Sequence, residues 1–238
     1  MNVIQSILTQ NDCYKSGRKI TPKGLMIHSV GCPQPSASVF IKQWNKSGVG
    51  KCVHAFIQAN GEVYQTLPWN YRGWHGGGSS NNTHIGVEMC EPSTIKYGST
   101  FGWVDINSAK TKEYVMGTYK TAVELFAKLC KEFNLNPLAD GVIISHSEGC
   151  KRGIASNHAD VEHIWNRMGL SMEQFRKDIA EVMKETPTII NEDILYLVEQ
   201  GRINSPQFWI DALTTNNNLK YLFSKWADDV KKLNTLSK

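Results

Sequence analysis

Apolar residues in this chain fall into short runs broken by polar, glycine-rich stretches, and the runs follow two periods. Leu25, Met26 and Ile27 lead into His28. Residues 53–57 carry His54 between apolar neighbours. Ile85 and Val87 lie inside 84–89, and Val142, Ile143 and Ile144 lead into Ser145. Each of these runs predicts a buried strand. Asn60 and Gly61 mark a turn, and residues 62–66 return as the second arm of a hairpin. Helical spacing appears at Val39, Phe40 and Trp44, with Ser36 or Ser38 as cap. It appears again over 108–133, where Val115, Tyr119, Ala122, Val123, Phe126 and Leu129 form a stripe that ends at Asn134 and Pro137. Residues 172–183 predict an amphipathic helix capped by Ser171, with Phe175, Ile179 and Val182 inward. The order strand, helix, hairpin, strand, long helix, strand, helix predicts an α/β domain with a mixed central sheet flanked by helices.

Between these elements lie three irregular stretches. Residues 1–24 read as an extended arm or short strand covering the domain. Residues 69–82 are rich in Gly, Ser, Asn and Trp, a composition suited to a binding loop over a scaffold. Residues 93–107 form an excursion carrying Tyr97, Phe101 and Trp103. Composition shifts at 184–188, which reads as a linker. Beyond it, 191–200, 206–213 and 219–233 predict three short helices in a tail without His or Cys. The expected organisation is a domain over 1–184 and a small helical module over 185–238.

Composition narrows the class. The 238 residues are 41% hydrophobic and 20% charged, ordinary for a globular protein. A net charge of +4 without a dense Lys/Arg run argues against nucleic acid as partner. No apolar run approaches about 18 residues, so no membrane insertion is expected. The N-terminus lacks a basic region followed by an apolar core, so no signal peptide is expected. Six cysteines without CxxC spacing read as free thiols. All seven histidines lie between His28 and His163, which places any histidine chemistry in the first two-thirds of the chain.

That chemistry has a recognisable shape. His28 and His146 each sit where an apolar strand meets a loop, the edge at which sites collect in α/β sheets. Catalytic zinc takes three protein ligands and leaves one position open. Asp160 and His158 are candidates for the third ligand, with Cys150 a weaker one. The alternative is a pair of hydrogen-bonded core histidines. Glu88 lies on an apolar strand where an unpaired carboxylate is costly. It is a candidate general base, or else pairs with a buried Arg or backbone donors. Trp69, Tyr71, Trp74, Phe101 and Trp103 are candidates to line a groove, against ordinary loop packing.

Four pieces in order carry a family resemblance: Ile27, His28 and Ser29; the hairpin of 53–57 with 60–63; residues 82–88 ending in Glu88; and 145–148 followed by Asp160. Over about residues 20–184 the chain resembles the zinc-dependent N-acetylmuramoyl-L-alanine amidases shared by phage lysozyme-amidases, cytoplasmic anhydromuropeptide amidases and peptidoglycan-recognition proteins. Residues 73–77 and 154–160 look most like clostridial phage or prophage endolysins.

The resemblance implies one zinc ion on His28, His146 and Asp160. It implies Glu88 as catalytic glutamate and His158 at a position where relatives carry a lysine that polarises the carbonyl. Trp74, His75 and His54 are then expected at the substrate, and Glu148 is expected to orient a histidine. The implied reaction is cleavage of the amide between N-acetylmuramic acid and L-alanine in bacterial peptidoglycan, as in cell-wall lysis by a phage-type endolysin. The enzyme would be made in the host cytoplasm and act on the wall after release. The alternatives are a non-catalytic peptidoglycan-binding module, or a zinc peptidase cutting the stem peptide. The C-terminal module is expected to anchor to the wall, with dimerisation or capping of the domain as alternatives. One departure stands out: relatives carry a tyrosine just before the hairpin histidine, and here the residue is Val53.

Overall fold

The computed structural model of the chain describes residues 1–98, 102–184, 188–215 and 217–236. Phe101 and positions 185–187 of the expected linker lie outside the described residues. The chain divides into two compact units, Met1–Val182 and Met183–Lys238.

In chain order the elements that begin in the first unit are β1 (Asn2–Gln5), α1 (Asp12–Lys15), β2 (Gly24–Ser29), α2 (Ala37–Trp44), β3 (Ala55–Ile57), β4 (Glu62–Gln65), β5 (His84–Met89), β6 (Ile95–Tyr97), β7 (Trp103–Asp105), α3 (Ser108–Glu132), β8 (Ile143–Ser145), α4 (His146–Lys151), α5 (Glu162–Trp165) and α6 (Met172–Lys184). Six strands form one sheet in the order β1-β4-β3-β5-β2-β8, and β6 pairs with β7 as a separate hairpin. The sheet is mixed, because β3 and β4 are antiparallel while β2 runs parallel to both β5 and β8. Helices flank it, as the hydrophobic pattern predicts.

Two elements take a form that the sequence left open. The polar N-terminal arm is an edge strand, with β1 pairing in parallel to β4 from Asn2↔Glu62 to Gln5↔Gln65. Its half-buried residues carry no strong alternation, so only the partner strand reveals it. The 93–107 excursion is the β6–β7 hairpin, paired Ile95↔Asp105 through Tyr97↔Trp103.

Burying the apolar runs fixes which ends of the strands come together. β2, β5 and β8 are parallel, so their carboxyl ends share one edge, where α/β sheets place their sites. On one side Phe40, Trp44, Val53, Phe56 and Leu67 share a core, with Phe40 stacked on Phe56 at 5.2 Å. Elsewhere Phe175 of α6 meets Phe126 of α3 at 5.1 Å and Trp165 of α5 at 5.0 Å, and Tyr119 meets Trp165 at 5.2 Å. These aromatic contacts lock α3, α5 and α6 together and so hold the segment that precedes α5.

The second unit consists of α7 (Thr188–Glu199), α8 (Pro206–Thr215) and α9 (Asn217–Leu236). They pack around Ile194, Leu197, Ile203, Leu213, Phe223, Ala227 and Val230. Lys231 pairs with the buried Asp193 at 2.8 Å.

Gly117 shows how tightly α3 lies on the sheet. A Cβ there would stand 2.6 Å from the carbonyl oxygen of Ala59 and 3.0 Å from its Cβ. Helix propensity alone would make Gly117→Ala stabilising by about 1 kcal/mol. Overpacking against backbone costs about 1–3 kcal/mol and wins. Chemical denaturation is therefore expected to show Gly117→Ala net destabilised, at unchanged denaturant slope.

Candidate functional site

Two imidazoles and a carboxylate converge at the carboxyl edge of β2 and β8. His28 Nδ1 lies 3.0 Å from His146 Nδ1 and 3.2 Å from Asp160 Oδ2. His146 Nδ1 is 3.6 Å from the same oxygen, and all three residues are buried. The three potential ligand atoms lie within 4.8 Å of one another.

Hydrogen bonds behind the rings decide which nitrogens carry protons. His75 Nε2–H donates to the carbonyl of His84 at 3.1 Å, which leaves His75 Nδ1 to accept from His28 Nε2–H at 3.0 Å. The Ser156 hydroxyl donates to the Gly76 carbonyl at 3.3 Å and accepts from His146 Nε2–H at 3.1 Å. Both Nδ1 atoms therefore present lone pairs to one another beside a carboxylate. That arrangement is repulsive until a cation shares it. Two imidazole nitrogens and a carboxylate oxygen suit a borderline divalent ion, so the residues present fit a metal.

The surroundings follow the same logic. Burial, helped by repulsion from His28, holds the His146 imidazolium down to about 4. Burial, reinforced by His28 and His54, holds His75 well below the ordinary imidazole value. Burial pushes Asp160 upward, but the adjoining rings of His28 and His146 outweigh this and hold it below the usual aspartate value. A neutral His146 imidazole and an ionised Asp160 carboxylate near neutral pH are the states that bind metal.

Local structure supplies the pieces. His28 and Glu88 are registered side by side on β2 and β5, so their side chains share one face of the sheet. His75 lies over Gly86 on that face, where a Cβ would stand 2.3 Å from its ring. Only glycine leaves room for the imidazole behind His28. His146 opens α4 through a capping box: Ser145 Oγ accepts from the Glu148 N–H, and Glu148 Oε2 accepts from the Ser145 N–H. Ser145 Oγ also donates to Glu162 Oε1 at 2.6 Å, and the Ser147 N–H donates to the Asp160 carbonyl at 3.0 Å. The loop that brings Asp160 back is thereby tied to the helix that starts at His146.

A cleft of about 710 Å³ opens over this cluster. Glu88, Tyr97, Trp74, His75, His158 and His163 all line it. Among the described residues Glu88 Oε2 is buried without a partner, and burial, with the Asp160 and Glu91 carboxylates, raises Glu88 well above its ordinary value. His158 stands on the wall with its side chain 60% exposed. Its ring stacks on His146 at 4.4 Å, and its Nδ1 is 3.9 Å from Asp160 Oδ1. It lies outside the group of converging ligand atoms. Cys150 interacts with Asn157 Oδ1 instead.

Several expectations need correction. Among the described residues Glu148 makes no hydrogen bond or ion pair to a histidine; besides the capping box it pairs with Arg176 of α6. The S-x-x-E spacing already carried that signal. His54 does not line the cleft. It is fully buried, with Nε2 donating to the Tyr71 carbonyl at 2.8 Å and Nδ1 accepting from the Gly86 N–H at 3.0 Å. Of the candidate groove aromatics that are described, Trp74 alone lines the cleft, half-exposed. Trp69 stacks on His54, Tyr71 stacks on Tyr14, and Trp103 is buried under Arg167.

One group escaped the sequence. Tyr97 donates to Glu91 Oε2 at 2.8 Å and lies 2.8 Å from His163 Nε2, while the Gly31 N–H donates to Glu91 Oε1 at 2.9 Å. A tyrosine hydroxyl thus reaches the cleft from β6, although Val53 occupies the position before the hairpin histidine. Glu91 and His163 are 72 residues apart, and no local pattern links them.

Known proteins give the context. A family model described as N-acetylmuramoyl-L-alanine amidase matches residues 17–163. The N-acetylmuramoyl-L-alanine amidase XlyA of Bacillus subtilis is 29% identical over 99 aligned positions, with 38% of this chain and 32% of that protein covered. The match thus spans about a third of the length of this curated relative. Among solved structures, Staphylococcus aureus hydrolase AmiA in complex with its ligand superposes with TM-score 0.57 at 16% identity, covering 85% of this chain and 87% of that one. The catalytic domain of XlyA superposes with TM-score 0.52 at 19% identity, covering 75% and 99%. The PlyG catalytic domain does so with TM-score 0.55 at 16% identity, covering 79% and 98%. These likenesses show a shared fold.

Glu91 sets a pH dependence. Burial raises it from 4.5 to about 7 in the folded chain. Its stabilising contribution is complete below about 4.5 and is lost as pH rises through about 7, because the folded state holds the proton longer than the unfolded one. With a chelator present, wild type is expected to lose on the order of 2–3 kcal/mol relative to Glu91→Gln between pH 4.5 and 8. Denaturation curves of the two proteins at both pH values check this.

Proposed function

The chain belongs to the N-acetylmuramoyl-L-alanine amidase family, and from that membership we propose that it hydrolyses the amide between N-acetylmuramic acid and L-alanine in bacterial peptidoglycan. The observation that carries the reading is the convergence of His28 Nδ1, His146 Nδ1 and an Asp160 oxygen beneath a cleft whose floor holds an unpartnered glutamate oxygen.

Zinc held by His28, His146 and Asp160 would polarise the scissile carbonyl and lower the pKa of water from about 16 toward about 7. The protein does the rest. Glu88 takes a proton from the attacking water and passes it to the departing alanine nitrogen. Its raised proton affinity favours the first half of that transfer. His158, exposed on the wall beside the cluster, donates to the oxygen as negative charge develops there. His75 behind His28, and Ser156 behind His146, hold the tautomers that keep both Nδ1 atoms unprotonated. Trp74, half-exposed at the rim, offers an apolar face to the sugar or peptide.

The wider role we infer is that of a phage-type endolysin, made in a bacterial host and acting on the wall after release. Among the described residues no helix is long and apolar enough to cross a membrane. For the second unit we infer wall anchoring, supported by its separate hydrophobic core.

Mass spectrometry of digested peptidoglycan tests the reaction. Stem peptides released with free L-alanine N-termini are expected. Cuts within the stem peptide would identify a peptidase instead, and wall binding without fragments would identify a binding module. Glu88→Gln is expected to keep its metal content while turnover falls at least about 100-fold. Full turnover in that variant would remove Glu88 from the mechanism.

A further inference from the structure

We propose that Lys51, with the aromatic wall of Trp44 and Phe40, forms a subsite for a carboxylate of the substrate's peptide. The reading rests on the proposed peptidoglycan substrate and adds to it a chemical preference.

Lys51 is the only lysine or arginine lining the cleft among the described residues. The other charged side chains there are acidic: Glu88 and Asp160 line the cleft, and Glu91 lies buried nearby. Lys51 is therefore the lysine that a carboxylate of a peptide in the cleft would meet. Its influence reaches the floor, since it pulls Glu88 downward against burial. The ammonium has no acidic partner within ion-pair distance among the described residues. It rests 4.8 Å over the Trp44 ring, which also lines the cleft. An aromatic face below a lysine holds the cation while leaving N–H donors free on the open side.

The position is built rather than incidental. The buried Asn11 side chain donates both to the Lys51 carbonyl at 3.0 Å and to the Trp44 carbonyl at 2.9 Å, tying the residue to the end of α2. Gly48 and Gly50 turn the chain just before it with φ of +77° and +67°, conformations that favour glycine. Just after it, the Cys52 N–H and carbonyl pair with the Trp74 backbone at 3.0 and 2.8 Å. Lys51 and the exposed Trp74 are therefore fixed at one rim of the cleft. An ammonium is a compact point charge, suited to a carboxylate in a partly solvated site.

Stem peptides differ in whether the carboxylate of the second residue is free, as in glutamate, or amidated, as in isoglutamine. The test uses two muramyl peptides that differ only there, the metal-loaded enzyme, and the variants Lys51→Met and Lys51→Arg. Wild type is expected to favour the free acid through KM. Lys51→Met is expected to raise KM for the acid about tenfold, with kcat within about twofold and KM for the amide unchanged. Lys51→Arg is expected to retain the preference. An equal effect of Lys51→Met on both peptides, or on neither, would overturn the proposal. Titration calorimetry of the same peptides reads the subsite without turnover. If neither peptide is cleaved but the acid still binds more tightly in a Lys51-dependent way, the subsite stands and the amidase reading falls.

Discussion

Two imidazole lone pairs facing each other at 3.0 Å beside a buried carboxylate constitute the constraint on which the site depends. Left alone, the arrangement costs free energy, because three electron-rich atoms are held close in a place that water reaches poorly. The fold sustains it from behind. The central parallel strands bring His28 and His146 to one edge, the capping box at Ser145 sets the second ring, and the α4 backbone holds the Asp160 loop. His75 and Ser156 then remove the protons that would otherwise relieve the repulsion. A site strained in this way is a site prepared for a cation.

The same edge of the sheet gathers the remaining chemistry. Glu88 shares a face with His28 because β2 and β5 are in register, and it lines the cleft with one oxygen buried and, among the described residues, unpartnered. Glu88 and Asp160 line the cleft beside the cluster, while Lys51 at the rim is cationic. This polarity along one cleft favours a ligand with a reacting amide at one end and an anionic group at the other. Tyr97, held by Glu91 and His163, places a hydroxyl in the cleft from an element outside the main sheet.

Local pattern made part of this legible. An apolar run that ends in histidine marks a strand reaching a site edge, and both His28 and His146 carry that mark. Asp160 is chosen through family resemblance rather than spacing, since the irregular stretch between α4 and Asp160 has no regular period. His54 and Glu148 misled for a physical reason. A histidine next to apolar residues reads the same whether its ring faces a cleft or, as here, the Tyr71 carbonyl and Gly86 amide. Glu148 follows a serine at capping-box spacing, and that local bond took precedence over any longer-range role. β1 and the β6–β7 hairpin, along with the Glu91–Tyr97–His163 group, depend on pairings between distant segments, which no window of sequence contains.

X-ray absorption at the zinc edge of the purified full-length chain tests the central claim most directly. The account predicts one zinc per chain with only nitrogen and oxygen neighbours near about 2.0–2.1 Å, two of them imidazole. A sulfur neighbour near about 2.3 Å, or a chain that takes up no zinc, would contradict it.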